Sequence, residues 1–179
     1  MEDRFIEEDV RHRLILSGMA ELEEHGIADF SLRRAAMGAQ VSCAAPYRHF
    51  KDKEEYISEI ISYVGSKWEL LSREIEAIFS TEPKELVVEI CIASLRFRIA
   101  NRNLPLALAH TKDSGRTMDD SIVSAVGKYC ENRGISAEDT EFYCFGALSL
   151  IYGALAMLNE DNSDRILTLT RKELEERFK

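Results

Sequence analysis

A chain of 179 residues, 45% hydrophobic and 31% charged, is long enough to bury a core in one or two domains, which excludes disorder as a description of the whole. No apolar run approaches the ~20 residues that span a bilayer, and Met1 to Asp9 is acidic rather than basic-then-apolar, so the chain is expected to be neither anchored nor secreted but cytoplasmic. A net charge of −9 repels DNA at long range, so any nucleic-acid contact must come from a local cationic face.

The first helix is expected from about Glu7 to Glu24, because Val10, Leu14, Ile15, Met19 and Leu22 recur near helical spacing and Gly26 can supply a left-handed end. Three helix starts then crowd together. Ser31 caps a helix from Leu32 to Met37 or Gly38, Ser42 a second from Cys43 to about His49, and Asp52 a long third. Glu55, three residues after Asp52, makes a capping box with it, and Val41 and Pro46 can staple the entry to the second helix. Pro46 then falls at the fourth position of that helix and forfeits one backbone bond. Two short helices joined by Ala39-Gln40-Val41 read as a helix-turn-helix, which offers its second helix to the DNA major groove.

Charge points the same way. Between Ser31 and Lys53, Arg33, Arg34, Arg48, Lys51 and Lys53 oppose the single acid Asp52, a local charge of +4 in an acidic chain. Arg33 and Arg34 project about 100° apart, so one phosphate contact is expected rather than two, the alternative being solvated surface arginines. Ser42, Cys43, Ala44 and Ala45 are small enough to approach base edges and thymine methyls but carry no bidentate code. Arg48 is the candidate for a guanine contact, with phosphate as its rival. Ser31 and Lys51 are counted on the same face.

In order and spacing, Tyr47-Arg48-His49-Phe50 followed by Asp52-Lys53-Glu54, preceded by Val41-Ser42 and by an amphipathic helix ending at His25-Gly26, resemble the DNA-binding region of the tetracycline-repressor (TetR-like) family of transcriptional regulators. The resemblance covers about Ile15 to Ile61. Gln40 stands where the family usually has glycine, and Ala35-Ala36 replaces the usual apolar-plus-alanine pair. The resemblance implies phosphate contacts for Tyr47, His49 and Lys53; otherwise Tyr47 is core packing with an exposed hydroxyl and His49 a surface imidazole. It further implies an all-α chain of about nine helices. Residues 1–53 would form a three-helix DNA-binding domain with its helix-turn-helix, and residues 54–179 a ligand-binding and dimerisation domain.

The long helix from Asp52 continues to about Ser80 through Tyr56, Ile57, Ile60, Ile61, Val64, Trp68, Leu71 and Ile75, linking the DNA-reading part to the rest. From Pro83 to about Ala100 little polar face remains, so that helix should be buried on most sides. Arg98, near its end, either faces a cavity and binds an anion or is an ordinary surface arginine. A short helix is expected over Leu106 to His110; His110 is either a ligand contact or a helix-end histidine. Asp119 or Asp120 to Asn132 forms the next helix, stopped by Gly134, and Ser136 caps another from Glu138 to about Leu158.

That helix is apolar all round and must be buried on two sides, while the last, from Asn162 or Ser163, has a one-sided stripe. Paired across a two-fold axis they would make a four-helix bundle, as in the resembled family. Phe142, Leu148, Ile151, Tyr152, Leu155, Ile166, Leu169 and Leu174 are the expected interface. Trp68, Cys91, Leu95, His110, Met118, Tyr143 and Phe145 are candidates for a ligand pocket by apolar type and helix membership.

Cys43, Cys91, Cys130 and Cys144 lack C-x-x-C spacing and the histidines are scattered, so neither metal nor cofactor is expected. Cys43, at a helix start, is a candidate for a lowered thiol pKa. Glu138, Asp139 and Glu141, or His110 near Arg98, come with no nucleophile or Gly-rich phosphate loop, so an enzyme is not expected. The expected function is a homodimeric regulator, a repressor that binds a palindromic operator and is released by a small apolar or amphipathic ligand. The alternative is an all-α dimeric protein–protein adaptor that does not bind an operator.

Overall fold

The computed structural model describes residues 2–101, 117–159 and 161–179, with side chains from Asp9 onward. Every described element is a helix: α1 (Glu2–His25), α2 (Leu32–Gly38), α3 (Pro46–His49), α4 (Lys53–Ile78), α5 (Pro83–Ala100), α6 (Met118–Arg133), α7 (Ala137–Met157) and α8 (Ser163–Arg177). The short helix expected over Leu106 to His110 lies outside the described residues. Among the described residues two compact units form, residues 2–67 with 101 and residues 68–100 with 117–159 and 161–179.

In the first unit, α1 packs through Leu14, Ile15 and Leu22 and ends at Gly26, whose φ of 72° is the left-handed conformation a Cβ disfavours. Two close approaches fix its neighbours. A Cβ on Gly18 would stand 2.6 Å from Ile60 Cδ1, and one on Gly38 would stand 2.3 Å from Ser17 Oγ, which donates to the Ala35 carbonyl at 2.7 Å. Tyr56, fully buried, stacks on Phe50 with ring centres 4.2 Å apart, meets Phe30 edge-on and donates its hydroxyl proton to the Leu14 carbonyl. Burial pushes the Tyr56 phenol pKa upward.

The caps expected at Ser31 and Asp52 form. Ser31 Oγ accepts from the Arg34 N–H at 3.4 Å, and Asp52 Oδ1 from the Glu55 N–H at 2.8 Å. The Glu55 carboxylate reaches one residue further back than a capping box requires, to the Lys51 N–H. At the end of α2 the Gln40 N–H donates to the Met37 carbonyl and the Val41 N–H to the Ala36 carbonyl, both at 3.0 Å. This is a Schellman closure with Gln40 in the left-handed position at φ 57°.

The helix expected from Cys43 is shorter. Residues 42–45 form a turn, the Ala45 N–H donating to the Ser42 carbonyl, and α3 begins only at Pro46. Proline therefore sits at the first helical position, where its missing N–H costs nothing, rather than at the fourth. Ser42 supplies a backbone carbonyl, and no side-chain cap bond forms at the start of α3. Cys43, exposed, precedes the helix and has no place at its N-terminus.

In the second unit α5 is the central helix, with Leu86, Val87, Val88, Ile90, Cys91, Ile92 and Leu95 buried among residues of α6, α7 and α8. Trp68 is buried beside Phe97 and donates Nε1–H to Ser121 Oγ at 3.2 Å. A capping box of Thr117 and Asp120 opens α6, a residue or two before the expected start, and Gly134 closes it at φ 66°. Phe178, packed edge-on to Tyr129 with centres 5.1 Å apart, closes the core below α8. Arg171 on α8 forks onto Glu89 of α5 at 2.7 and 3.1 Å. By length and composition α7 could cross a membrane, a property that reading apolar runs one residue at a time had missed. Its Ala147, Ile151 and Ala154 are buried against the unit's own core.

Candidate nucleic-acid interface

The short α3 works as a wedge. Ala45, Pro46 and Phe50 point inward and are buried, while Tyr47 and Arg48 point outward, because residues four apart share a helix face and the next two do not. Ala45, expected to approach base edges, is only 8% exposed and belongs to the core side. Tyr47 is 64% exposed, an outward ring rather than core packing with only its hydroxyl showing. Ser42, Cys43 and Ala44 are exposed on the turn before it, and His49 is half-buried beside Phe50.

The cations divide into two kinds. Arg33, Arg48 and Lys51 are exposed and make no ion pair with any described residue. Arg34 and Lys53 are engaged. The Lys53 ammonium lies 3.5 Å from the Ala28 carbonyl and 5.8 Å from the centre of the Phe30 ring. Arg34 Nε donates to both oxygens of Glu21 at 2.8 and 3.0 Å, and Nη2 donates to Glu21 and to the Asp29 carbonyl. Ser31, half-buried, gives its N–H to the same Glu21 carboxylate at 3.0 Å. Burial raises the Glu21 pKa, but the Arg34 bonds, the Ser31 N–H and the nearby charges outweigh it, leaving the carboxyl below its ordinary value.

Two residues of this interface were missed from sequence. Glu21 stands seven residues after Leu14 and next to Leu22, on the buried stripe of α1, and an acid there demands a partner. Arg13 Nη1 donates to the Ala39 carbonyl at 3.3 Å, holding the end of α2 from α1; nothing local in the sequence signals it.

No protein-family model matches the chain, and no curated protein matches it by sequence. Solved structures do match. The transcriptional regulator FadR from Bacillus subtilis, in complex with stearoyl-CoA, superposes with a TM-score of 0.66 at 14% identity over 93% of this chain and 96% of its own. RolR, in complex with resorcinol, gives 0.59 at 15% identity over 98% and 95%. A TetR-family regulator from Streptomyces coelicolor gives 0.48 at 16% identity over 95% and 94%. The chain has the fold of the first two.

The expected ligand residues that are described differ in their burial. Trp68, Cys91, Leu95 and Met118 are sealed in the core, where burial pushes the Cys91 thiol up to about 12. Tyr143 is half-buried against Phe178, and His110 lies outside the described residues. Phe145 is 70% exposed on α7. A groove of about 410 Å³ between α4 and α5 is lined by Leu71, Ile75, Ile92 and Phe97, with Glu89 and Arg96. Arg98 is neither cavity-facing nor superficial: its side chain is 10% exposed and pairs with Asp119 at 2.6 Å, whose other oxygen accepts from the Tyr152 hydroxyl at 2.6 Å.

The expected dimer residues separate. Ile151, Ile166 and Leu174 are buried in the protomer's own core and are not available to a second copy. Phe142, Tyr152 and Leu169 are exposed, and Leu148 and Leu155 half-buried. With Phe145 and Met157, which sequence reading had not placed there, Phe142 and Tyr152 form an outward stripe on α7, beside an α7/α8 groove of about 520 Å³. Among the described residues no three His, Cys, Asp or Glu side chains gather as metal ligands.

Proposed function

We propose that this chain is a TetR-like transcriptional regulator, cytoplasmic and homodimeric, that binds a palindromic operator through α2, the turn at Ser42 to Ala44, and α3. The observation that carries the reading is the wedge of α3: Ala45, Pro46 and Phe50 anchor it while Tyr47 and Arg48 stand outward, flanked by Arg33 and Lys51 with no ion partner among the described residues. Such a surface positions by phosphate contacts and reads with little else, so Arg48 is the residue assigned to a base edge and Tyr47, His49, Arg33, Lys51 and Lys53 to the backbone.

Dimerisation is supported by α7. A stripe of large exposed apolar side chains on a helix whose other face is already buried calls for a cover, and a second copy supplies one without exposing any new edge. Two heads on a two-fold axis then require two half-sites. FadR and RolR were solved with an acyl-CoA and a phenol bound, which supports a small apolar or amphipathic effector here and release of a repressor as its consequence. FadR is a transcriptional regulator, in keeping with a non-enzymatic role. The adaptor reading would gain from acids covering the basic face; among the described residues α1 pairs Glu21 with Arg34, and Arg33, Arg48 and Lys51 have no ion partner.

The test is a mobility-shift titration with DNA from upstream of the chain's own gene at several salt concentrations. Saturable binding that weakens steeply with salt supports the reading, and its absence on any such DNA removes it.

A further inference from the structure

Arg34 is the residue of the cationic face whose sequence position and structural role disagree. Composition counts it with the DNA-facing charges, but the structure gives its Nε and Nη2 hydrogens to its own chain. A guanidinium grips a carboxylate or phosphate through one of two forked edges, and Nη2 belongs to both. In this chain Nη2 donates to Glu21 and to the Asp29 carbonyl, and Nε to Glu21. The Nε–Nη2 edge is thereby filled, and the Nη1–Nη2 edge has one of its two donors engaged. Turning Arg34 to a phosphate would leave the Glu21 carboxylate, whose residue is only 7% exposed, with the Ser31 N–H and the His25 imidazole, 3.5 Å away, in place of a bidentate cation.

The groups that meet at Glu21 belong to three consecutive pieces of the motif. Glu21 is on α1, Asp29 and Ser31 are in the connection, and Arg34 is in the first turn of α2, whose N–H is itself capped by Ser31 Oγ. We infer that Glu21 and Arg34 form a positioning clamp that seats the N-terminal turn of α2, so that Arg33, not Arg34, delivers the charge to DNA. The clamp also reduces the charge this face offers from +4 to +3, since the Arg34 charge is met by Glu21. This rests on the DNA-binding reading above.

Three roles for Arg34 give three different results in one experiment, operator affinity of the full-length protein measured by fluorescence anisotropy across a salt series, with thermal melts of the same samples. A phosphate contact, when lost, makes the salt dependence shallower by about 0.9 in log–log slope for each contact. A purely stabilising pair lowers Tm and leaves the Kd of folded protein unchanged. A positioning clamp weakens Kd of folded protein at constant slope.

Arg34→Met and Glu21→Gln are each expected to weaken Kd roughly three- to tenfold, about 1 kcal/mol, with the wild-type slope retained. Arg34→Lys, which keeps the charge and loses the fork, is expected to behave like Arg34→Met, whereas Arg33→Met lowers the slope. A shallower slope for Arg34→Met, full affinity for Arg34→Lys, or a lower Tm with unchanged Kd each overturns the clamp while leaving operator binding in place. Should the methionine variant not fold, Arg34→Lys and Glu21→Gln carry the same distinction. A wild-type protein that binds no such DNA removes the functional reading and the clamp with it.

Discussion

Tyr56 and Trp68 lie on the same helix, both fully buried and both with their polar atom satisfied, yet they belong to units that turn opposite chemistry outward. Around Tyr56 the outer surface is cationic and polar: Arg33, Tyr47, Arg48 and Lys51. In the unit of Trp68 it is the apolar stripe of α7. The first surface is complementary to an anion and tolerates water when alone. The second is costly in water, at about 25 cal/mol for each Å² of apolar surface left exposed, and so favours association. The proposed function needs both, because a short reading helix with few base-specific groups binds well only when two copies are held together.

That contrast can be broken at either end. The largest effect is expected at the hub of the first unit. Tyr56→Ala removes the ring between Phe30 and Phe50 and should cost about 3–5 kcal/mol, seen in urea unfolding as loss of the reading surface. Tyr56→Phe, which leaves the ring and loses only the bond to the Leu14 carbonyl, should cost about 1–2 kcal/mol.

On the second surface, the pair Phe145→Glu and Met157→Glu adds charge to exposed positions and leaves the core intact. Sedimentation should then show monomers with an unchanged helical spectrum, and operator affinity should fall at least about 100-fold through loss of bivalency. A dimer that survives both substitutions would remove the stripe from the interface.

Arg48→Ala separates reading from positioning and is expected to weaken operator binding by about 1–3 kcal/mol with relaxed preference at one base pair, as judged by binding to a set of single-base operator variants. Tyr47→Ala should weaken all of them alike.

Gln40 sharpens the comparison at its smallest scale. A side chain in the left-handed region costs about 1–2 kcal/mol, part of which glycine returns as unfolded-state entropy, so Gln40→Gly should raise stability by up to about 1 kcal/mol in thermal melts. An unchanged or lowered Tm would mean the Gln40 side chain makes a compensating contact.

Acid should act on the first unit through Glu21. Its folded pKa lies below the ordinary value of 4.5, so the stability it contributes is present above that value and is lost as pH falls through the folded pKa. The stability difference between wild type and Glu21→Gln should therefore be constant near neutrality and shrink below about pH 4, by urea unfolding at each pH.

Helix ends were readable wherever the partner lies within a few residues. Ser31, Asp52 and Ser136 each cap the N–H three residues on, and Gly26 and Gly134 take positive φ, because these bonds close inside one turn and owe little to the rest of the fold. The start of α3 was not readable. Ser42 offers the same local signal, but burying Ala45 and Pro46 while stacking Phe50 on Tyr56 set the helix three residues later. The cationic face was legible as a count of charges, and the division of those charges was not.

What the sequence determined by itself is the order of helices, most of their ends, and a positive segment in an acidic chain, since propensity, capping and charge are carried by neighbours along the chain. Only the tertiary structure decided which arginine is paired with Glu21, which of the α7 and α8 apolar residues serve the protomer's own core, and which of the expected pocket residues are buried. Each of these is a choice between chemically similar side chains. Arg33 and Arg34 are adjacent and identical, and what distinguishes them is the Glu21 carboxylate thirteen residues from Arg34, brought within 2.8 Å by the packing of α2 on α1.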